Sequence, residues 1–206
     1  MISQWWEDIG DLRVRIDELP FVRGLGDGTL DSGAFVWYLE QDALYLRGYA
    51  RVVAGAARLA PAVDEQAFWA ASAQRAIAGE RQLHESWGVR EAEPAAVTIA
   101  YLDHLSAQGD YRVLIAALLP CFWLYHDVGS RLHPLSHAGH PYRSWLDTYA
   151  DEMFAQATEE ARVIVTRAAA HADDLTRTAM HEAFRISATH EHAFFAAPHQ
   201  QIGQKR

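Results

Sequence analysis

A chain of 206 residues with 27 acidic side chains against 18 Lys and Arg has a formal net charge of −9, which disfavours nucleic acid as a partner, because phosphates need clustered cations. Half of the residues are apolar, with seven Trp and eight Tyr: ample for a single domain over 1–206 with one core, and too apolar for a disordered segment. One cysteine excludes an intramolecular disulfide and a thiolate zinc cage, which suits a reducing cytoplasmic setting.

Trp5, Trp6, Ile9, Leu12 and Ile16 recur at helical spacing and predict a first amphipathic helix ending before Pro20. Gly24 to Gly28 reads as a turn, since its glycines tolerate positive φ. Asp31 or Ser32 caps a long helix from about Gly33 to Leu59, stopped by Pro61. A third helix runs from about Asp64 to Trp87, a charged loop with Pro94 follows, and a fourth covers about Ala95 to Gln108. Gly109-Asp110 turns the chain into a fifth helix that carries the segment LIAALLPCFWLYHDVG over 114–129. Pro134 to Pro141 breaks it; one long helix over about Pro141 to Ala170 follows, then a last one from Asp173 or Asp174 to Ala197 with a frayed polar tail. No alternating strand pattern and no repeat interrupts this order, so the expected fold is an all-α bundle with space between helices for a small ligand. The longest apolar run, Val113 to Tyr125, is too short to span a bilayer and contains Pro120, so no membrane is expected. The start MISQWWEDIGDLR lacks the pattern of a signal peptide.

Chemistry-bearing residues concentrate in three helices. Cys121 sits among Phe122, Trp123 and Tyr125 directly after Pro120, and it reads either as core filler or as a nucleophile lining a pocket. Asp42 shares a helix face with Tyr38, Tyr45 and Tyr49; a carboxylate there is either solvated at the face's edge or part of a site. Glu191 and Phe194 form a second acid–aromatic pair three residues apart. His190 and His192 flank Glu191 but point about 100° away on a regular helix, so the His-Glu-His string does not converge on a metal. Glu80 and His84 form an intrahelical pair with too few ligands for a metal site. No metal and no cofactor is assigned.

Pro20-Phe21-Val22, then Leu25-Gly26-Asp27-Gly28-Thr29-Leu30 and Gln41-Asp42-x-x-Tyr45-Leu46, closely resemble the opening of the thiaminase II (TenA) family. Ala116-Ala117-Leu118-Leu119-Pro120-Cys121-Phe122-Trp123-Leu124-Tyr125 looks like that family's nucleophile segment, and Trp145-x-x-x-Tyr149 and Glu191-x-x-Phe194 continue the match. The resemblance implies a heme-oxygenase-like helical bundle without heme, assembled as a homotetramer. It implies hydrolysis of an aminopyrimidine, thiamin or its breakdown product 4-amino-5-aminomethyl-2-methylpyrimidine, to the hydroxymethyl compound used in thiamin salvage. Carried over, Cys121 is the nucleophile and Glu191 the acid/base; Asp42 binds the pyrimidine nitrogens, and Tyr45, Tyr101, Tyr149 and Phe194 stack on or hydrogen-bond the ring. Leu19, His190, His192 and Phe195 depart from residues common among relatives and bear on pocket shape.

A carboxyl near the thiol raises its pKa, so Cys121 is expected to rest as a neutral thiol and ionise only with substrate bound. Two other readings compete: a di-iron or heme oxidoreductase on the same fold, and a non-catalytic binder of thiamin intermediates. No histidine precedes His84, which leaves a first-helix heme ligand without a candidate.

Overall fold

The computed structural model describes residues 2–89 and 99–204, apart from the side chains of 79–86 and 200–204. Every regular element among the described residues is helical. The expected first helix is two, α1 (Ile2–Asp8) and α2 (Gly10–Glu18), joined at Ile9. The break falls where glycine, a poor helix former, follows a buried isoleucine, and it lets Trp5, Ile9, Leu12 and Ile16 all reach the core. α3 (Pro20–Asp27) occupies the segment expected to turn. Proline at its first position favours helix, and burial of Phe21, Val22 and Leu25 outweighs the cost of the glycines. The chain reverses only at Gly28, whose φ of 77° is left-handed. There Asp27 accepts hydrogen bonds from both the amide and the hydroxyl of Thr29.

α4 (Ser32–Leu59) is capped by Asp31, and α5 (Val63–Trp87) packs along it. α6 (Ala100–Gln108) ends at Gly109, which is also left-handed; Pro94 and the expected helix start near Ala95 lie outside the described residues. α7 (Tyr111–Leu132) continues unbroken through Pro120, followed by a short 3-10 turn, His133–Leu135. The single helix expected over 141–170 is instead α8 (Arg143–Ala150) and α9 (Glu152–Ala170). Asp151 separates them by adopting extended backbone and accepting from the Met153 amide, so a capping carboxylate wins over helix continuation. α10 (Asp174–Gln204) runs past the expected end at Ala197 with Pro198 inside it.

α7 is the central helix. It packs against α4, α6, α8, α9 and α10, and α10 also crosses α2, α3 and α4. By length and composition α7 with its 3-10 extension could cross a bilayer, contrary to the estimate from the shorter apolar run. In the fold its apolar surface is spent on neighbours, with 72% of its most apolar window buried.

Aromatic and polar pairs lock the outer helices to this centre. Trp6 stacks on Trp123 at 4.2 Å, and the guanidinium groups of Arg13 and Arg162 cover the two outer faces at 4.2 and 4.3 Å. The four groups form a cation–π ladder joining α1, α2, α7 and α9. On another side of the bundle, Tyr111 donates to buried Glu65 at 2.5 Å and accepts from Trp69 at 2.9 Å, while Arg167 neutralises Glu65 at 2.8 Å. His140 bridges α3 and the turn before α8, its Nε2 reaching the Gly26 carbonyl at 3.1 Å while Nδ1 accepts from the Tyr142 amide.

Asp110 caps α7 by accepting from the amides of Arg112 and Val113. Asp110→Ala is expected to cost about 1 kcal/mol in urea-induced unfolding, because both amides lose their partner.

Candidate active site

Four helices contribute to one buried cluster. α4 supplies Tyr38, Asp42, Tyr45 and Tyr49 at three- and four-residue intervals, hence on one face. α7 supplies Cys121 and, one turn on, Tyr125; α8 supplies Trp145 and Tyr149; α10 supplies Glu191 and Phe194. Asp42 and Glu191 are 4% and 3% exposed, so two carboxyl groups are held almost out of water within an aromatic wall. Cys121, Tyr45 and Tyr149 stay partly accessible amid buried neighbours, as the wall of a narrow cleft would.

The Tyr45 hydroxyl donates to Glu191 Oε1 at 3.2 Å and lies beside the Cys121 thiol. Tyr49 donates to the Leu118 carbonyl at 3.4 Å and reaches the thiol from the next turn of α4. Tyr125 lies beside Glu191 and Tyr38, and Trp145 donates to Tyr38 at 3.4 Å. Phe194 meets Tyr45 edge-on at 5.5 Å and Tyr38 at 5.3 Å. Tyr149 packs on Trp145 at 4.5 Å and on Tyr125 at 5.0 Å.

Burial dominates the electrostatics. It pushes Glu191 up to about 7, with the negative charge of Asp42 adding to the rise and hydrogen bonds from Tyr45 and Tyr125 opposing it. Burial, then the Glu191 charge, raises the Cys121 thiol well above its ordinary value, against hydrogen bonds from Tyr49 and Tyr45. The thiol therefore rests neutral, as the sequence led one to expect. Desolvation raises Tyr38, Tyr45, Tyr49, Tyr125 and Tyr149 as well, so all five phenols stay protonated and can donate. A carboxyl poised near neutrality, hydrogen-bonded to a phenol that lies beside a neutral thiol, is placed to exchange a proton with it through that phenol.

Among the residues singled out from sequence, Cys121, Glu191, Asp42, Tyr45, Tyr149 and Phe194 meet here. Tyr101 does not join them through any ring contact or hydrogen bond described for it: on α6 it packs against His190 at 5.5 Å and feels the charge of Glu182. Its helix meets α4 and α7, and its ring lies against the exposed His190 of α10. His192 is turned toward Arg15 of α2, so the histidines flanking Glu191 diverge from it. The side chains of Glu80 and His84 lie outside the described residues. Tyr38, Tyr49 and Tyr125 belong to the cluster although no role had been assigned to them. The signal was their spacing, four residues from Asp42, Tyr45 and Cys121. Phe195 backs Tyr125 at 4.9 Å, and Leu19 caps α3. Among the described residues no three His, Cys, Asp or Glu side chains converge as metal ligands.

A sequence model of the TENA/THI-4/PQQC family matches residues 8–200. The thiamine biosynthesis multifunctional protein ThiED of Corynebacterium efficiens is 40% identical over 92% of the chain, which spans only 27% of that protein's length. The aminopyrimidine aminohydrolase of Bacillus subtilis is 32% identical, with 98% of the chain and 87% of the relative aligned. Among solved structures, a TenA family transcription regulator from Silicibacter sp. TM1040 superposes with a TM-score of 0.85 at 24% identity, covering 96% of this chain and 95% of that one. A TenA homologue from Pyrococcus furiosus gives 0.85 at 15% identity, covering 96% and 100%. At these identities the structures speak for the fold alone. The sequence matches reach further, and they show that the chain belongs to the TENA/THI-4/PQQC family.

Proposed function

We propose that the chain is an aminopyrimidine aminohydrolase of the thiaminase II type, replacing the amine of an aminomethylpyrimidine by hydroxyl in thiamin salvage. The observation that carries this reading is the Tyr45–Glu191 hydrogen bond beside Cys121, inside an aromatic cleft that also holds Asp42. The name of the Bacillus relative supports the substrate class. A flat pyrimidine suits walls of Tyr and Phe, and Asp42 can accept from its amino group. The resemblance further suggests a homotetramer, and the lone cysteine suggests the cytosol.

One carboxyl suffices for the proton bookkeeping. Glu191 as carboxylate takes the thiol proton through the Tyr45 hydroxyl, and the thiolate forms a C–S bond to a ring carbon, placing the electron pair on a ring nitrogen beside Asp42. That pair returns to break the exocyclic C–N bond, and Glu191 gives its proton to the departing amine. Water then adds hydroxide to the exocyclic methylene while its proton goes to Glu191. Finally the C–S bond breaks and the thiolate recovers a proton through Tyr45. The sum is substrate plus water to hydroxymethylpyrimidine plus ammonia, by covalent catalysis that divides one difficult displacement.

Purified protein assayed on thiamin and on aminomethylpyrimidine should yield hydroxymethylpyrimidine; no product from either would overturn the reading. Cys121→Ser is expected to keep product binding and lose turnover by about 10³-fold or more, and Tyr45→Phe to lose about 10²-fold by interrupting the relay. Because the carboxylate form starts the cycle, kcat/KM should rise with pH through about 7, and this limb should vanish from the residual activity of Glu191→Gln.

The same raised carboxyl affects stability. Its proton is held more tightly folded than unfolded, so the benefit is full below about 4.5 and is lost as pH rises through about 7. Glu191→Gln escapes that loss. Its stability relative to the parent should therefore grow by about 3 kcal/mol between pH 4.5 and pH 8 in urea unfolding, whereas a flat difference would mean an unperturbed carboxyl.

A further inference from the structure

Gly129 lies eight residues beyond Cys121 on α7, buried where the end of α8 crosses it. A Cβ placed on Gly129 would stand 2.5 Å from Tyr149 Cβ, 2.9 Å from its carbonyl carbon and 3.1 Å from its carbonyl oxygen. A Cβ on Gly26 would meet the movable end of Leu132 at 2.8 Å, and one on Gly24 the Leu30 backbone at 3.0 Å, both farther than the contact at Gly129. At Gly129 the obstacle is the backbone and first side-chain carbon of Tyr149, which no rotamer change relieves.

The position of Tyr149 along its own helix is fixed, so an added Cβ displaces the end of α8 as a unit. Tyr149 sits in the last turn of the eight-residue α8, which Trp145, wholly buried, anchors one turn earlier. Immediately after it the chain bends at Asp151, whose carboxylate is committed to the cap of α9. The Tyr149 ring projects from this corner onto Trp145, Tyr125 and Phe154, with Asp42 its strongest charged neighbour. The cleft thus has a chemical wall, Cys121–Tyr45–Glu191, and a binding wall of Asp42, Tyr38, Trp145 and Tyr149.

We propose that Gly129 is a positioning residue that sets the depth of Tyr149, and so the fit of the binding wall to a flat heteroaromatic substrate. The substrate part of this inference rests on the proposed function above. Restoring ordinary contact from 2.5 Å moves the corner of α8 outward by about 1 Å, a displacement large enough to matter in a site that holds its ligand by ring contacts. α7, which carries both Gly129 and the thiol, is held on its other sides by α4, α9 and α10, so the shorter α8 is the element that yields.

The test is Gly129→Ala, assayed on aminomethylpyrimidine after its folded fraction has been fixed by circular dichroism and active-site titration. KM is expected to rise about tenfold with kcat held within about threefold. A lower kcat at unchanged KM, the mark of mere loss of folded enzyme, overturns the proposal. Should the variant not fold, Ala150→Gly relaxes the same corner without adding bulk and carries the same expectation; an unchanged KM there overturns it. If the parent protein turns over no aminopyrimidine, the proposed function fails separately, and alkylation of Cys121 by iodoacetamide then reads the geometry. Cys121 is the chain's one cysteine, and its alkylation rate is expected to rise about tenfold in Gly129→Ala as Tyr149 moves away. Equal rates overturn the proposal.

Discussion

Removing the Glu191 carboxyl from water is the constraint from which the rest of the site follows. A buried carboxylate without compensation costs far more than a domain of this size can spare. The fold meets that cost with hydroxyls from two different helices, Tyr45 of α4 and Tyr125 of α7, and lets the remaining penalty appear as a pKa near neutrality. A carboxyl in that range exists in both protonation states at physiological pH. One group can therefore serve as acceptor in one half of a reaction and donor in the other.

The phenols around it act as a set. Each is raised by burial, so none competes for the role of base, and each presents a neutral hydroxyl that stabilises charge when it forms. They come from α4, α7 and α8, with α10 supplying the carboxyl, and α7 is the element all the others touch. Its unusual apolarity follows from that position: a helix covered on most sides has little surface left for water. Cys121 is an exception on this helix, partly accessible among buried neighbours.

Much of this was legible from residue spacing. The all-helical fold, the Asp31 cap and the shared face of Asp42, Tyr45 and Tyr49 follow from periodicity and capping chemistry, which act locally. The same local signals misplaced the glycine-rich stretch before Gly28, because burial of Phe21 and Leu25 is a tertiary gain that propensity does not register. They missed the corner at Asp151, where a side chain with two uses, helix residue or cap, chose the second. Within the site, helical periodicity brought each residue to the right face. It does not say which face meets which, so Tyr125 has no part in a reading by spacing, while Tyr101, carried over from the family resemblance, packs against His190. Assembly between helices is set by packing of the whole bundle, and no short window of sequence contains it.

The ladder of Arg13, Trp6, Trp123 and Arg162 bears on the order of assembly during synthesis. α1 and α2 find these stacking partners on α7 and α9, far later in the chain, while Trp5 waits for His181 and Phe184 of α10. Until those later helices are made, α1 and α2 are short, amphipathic and lack these partners, and isolated helices of that length are marginal in water. Their docking is thus a late event relative to their own synthesis, and a chaperone that holds exposed aromatic surface would find Trp5 and Trp6 uncovered until α7 to α10 are made.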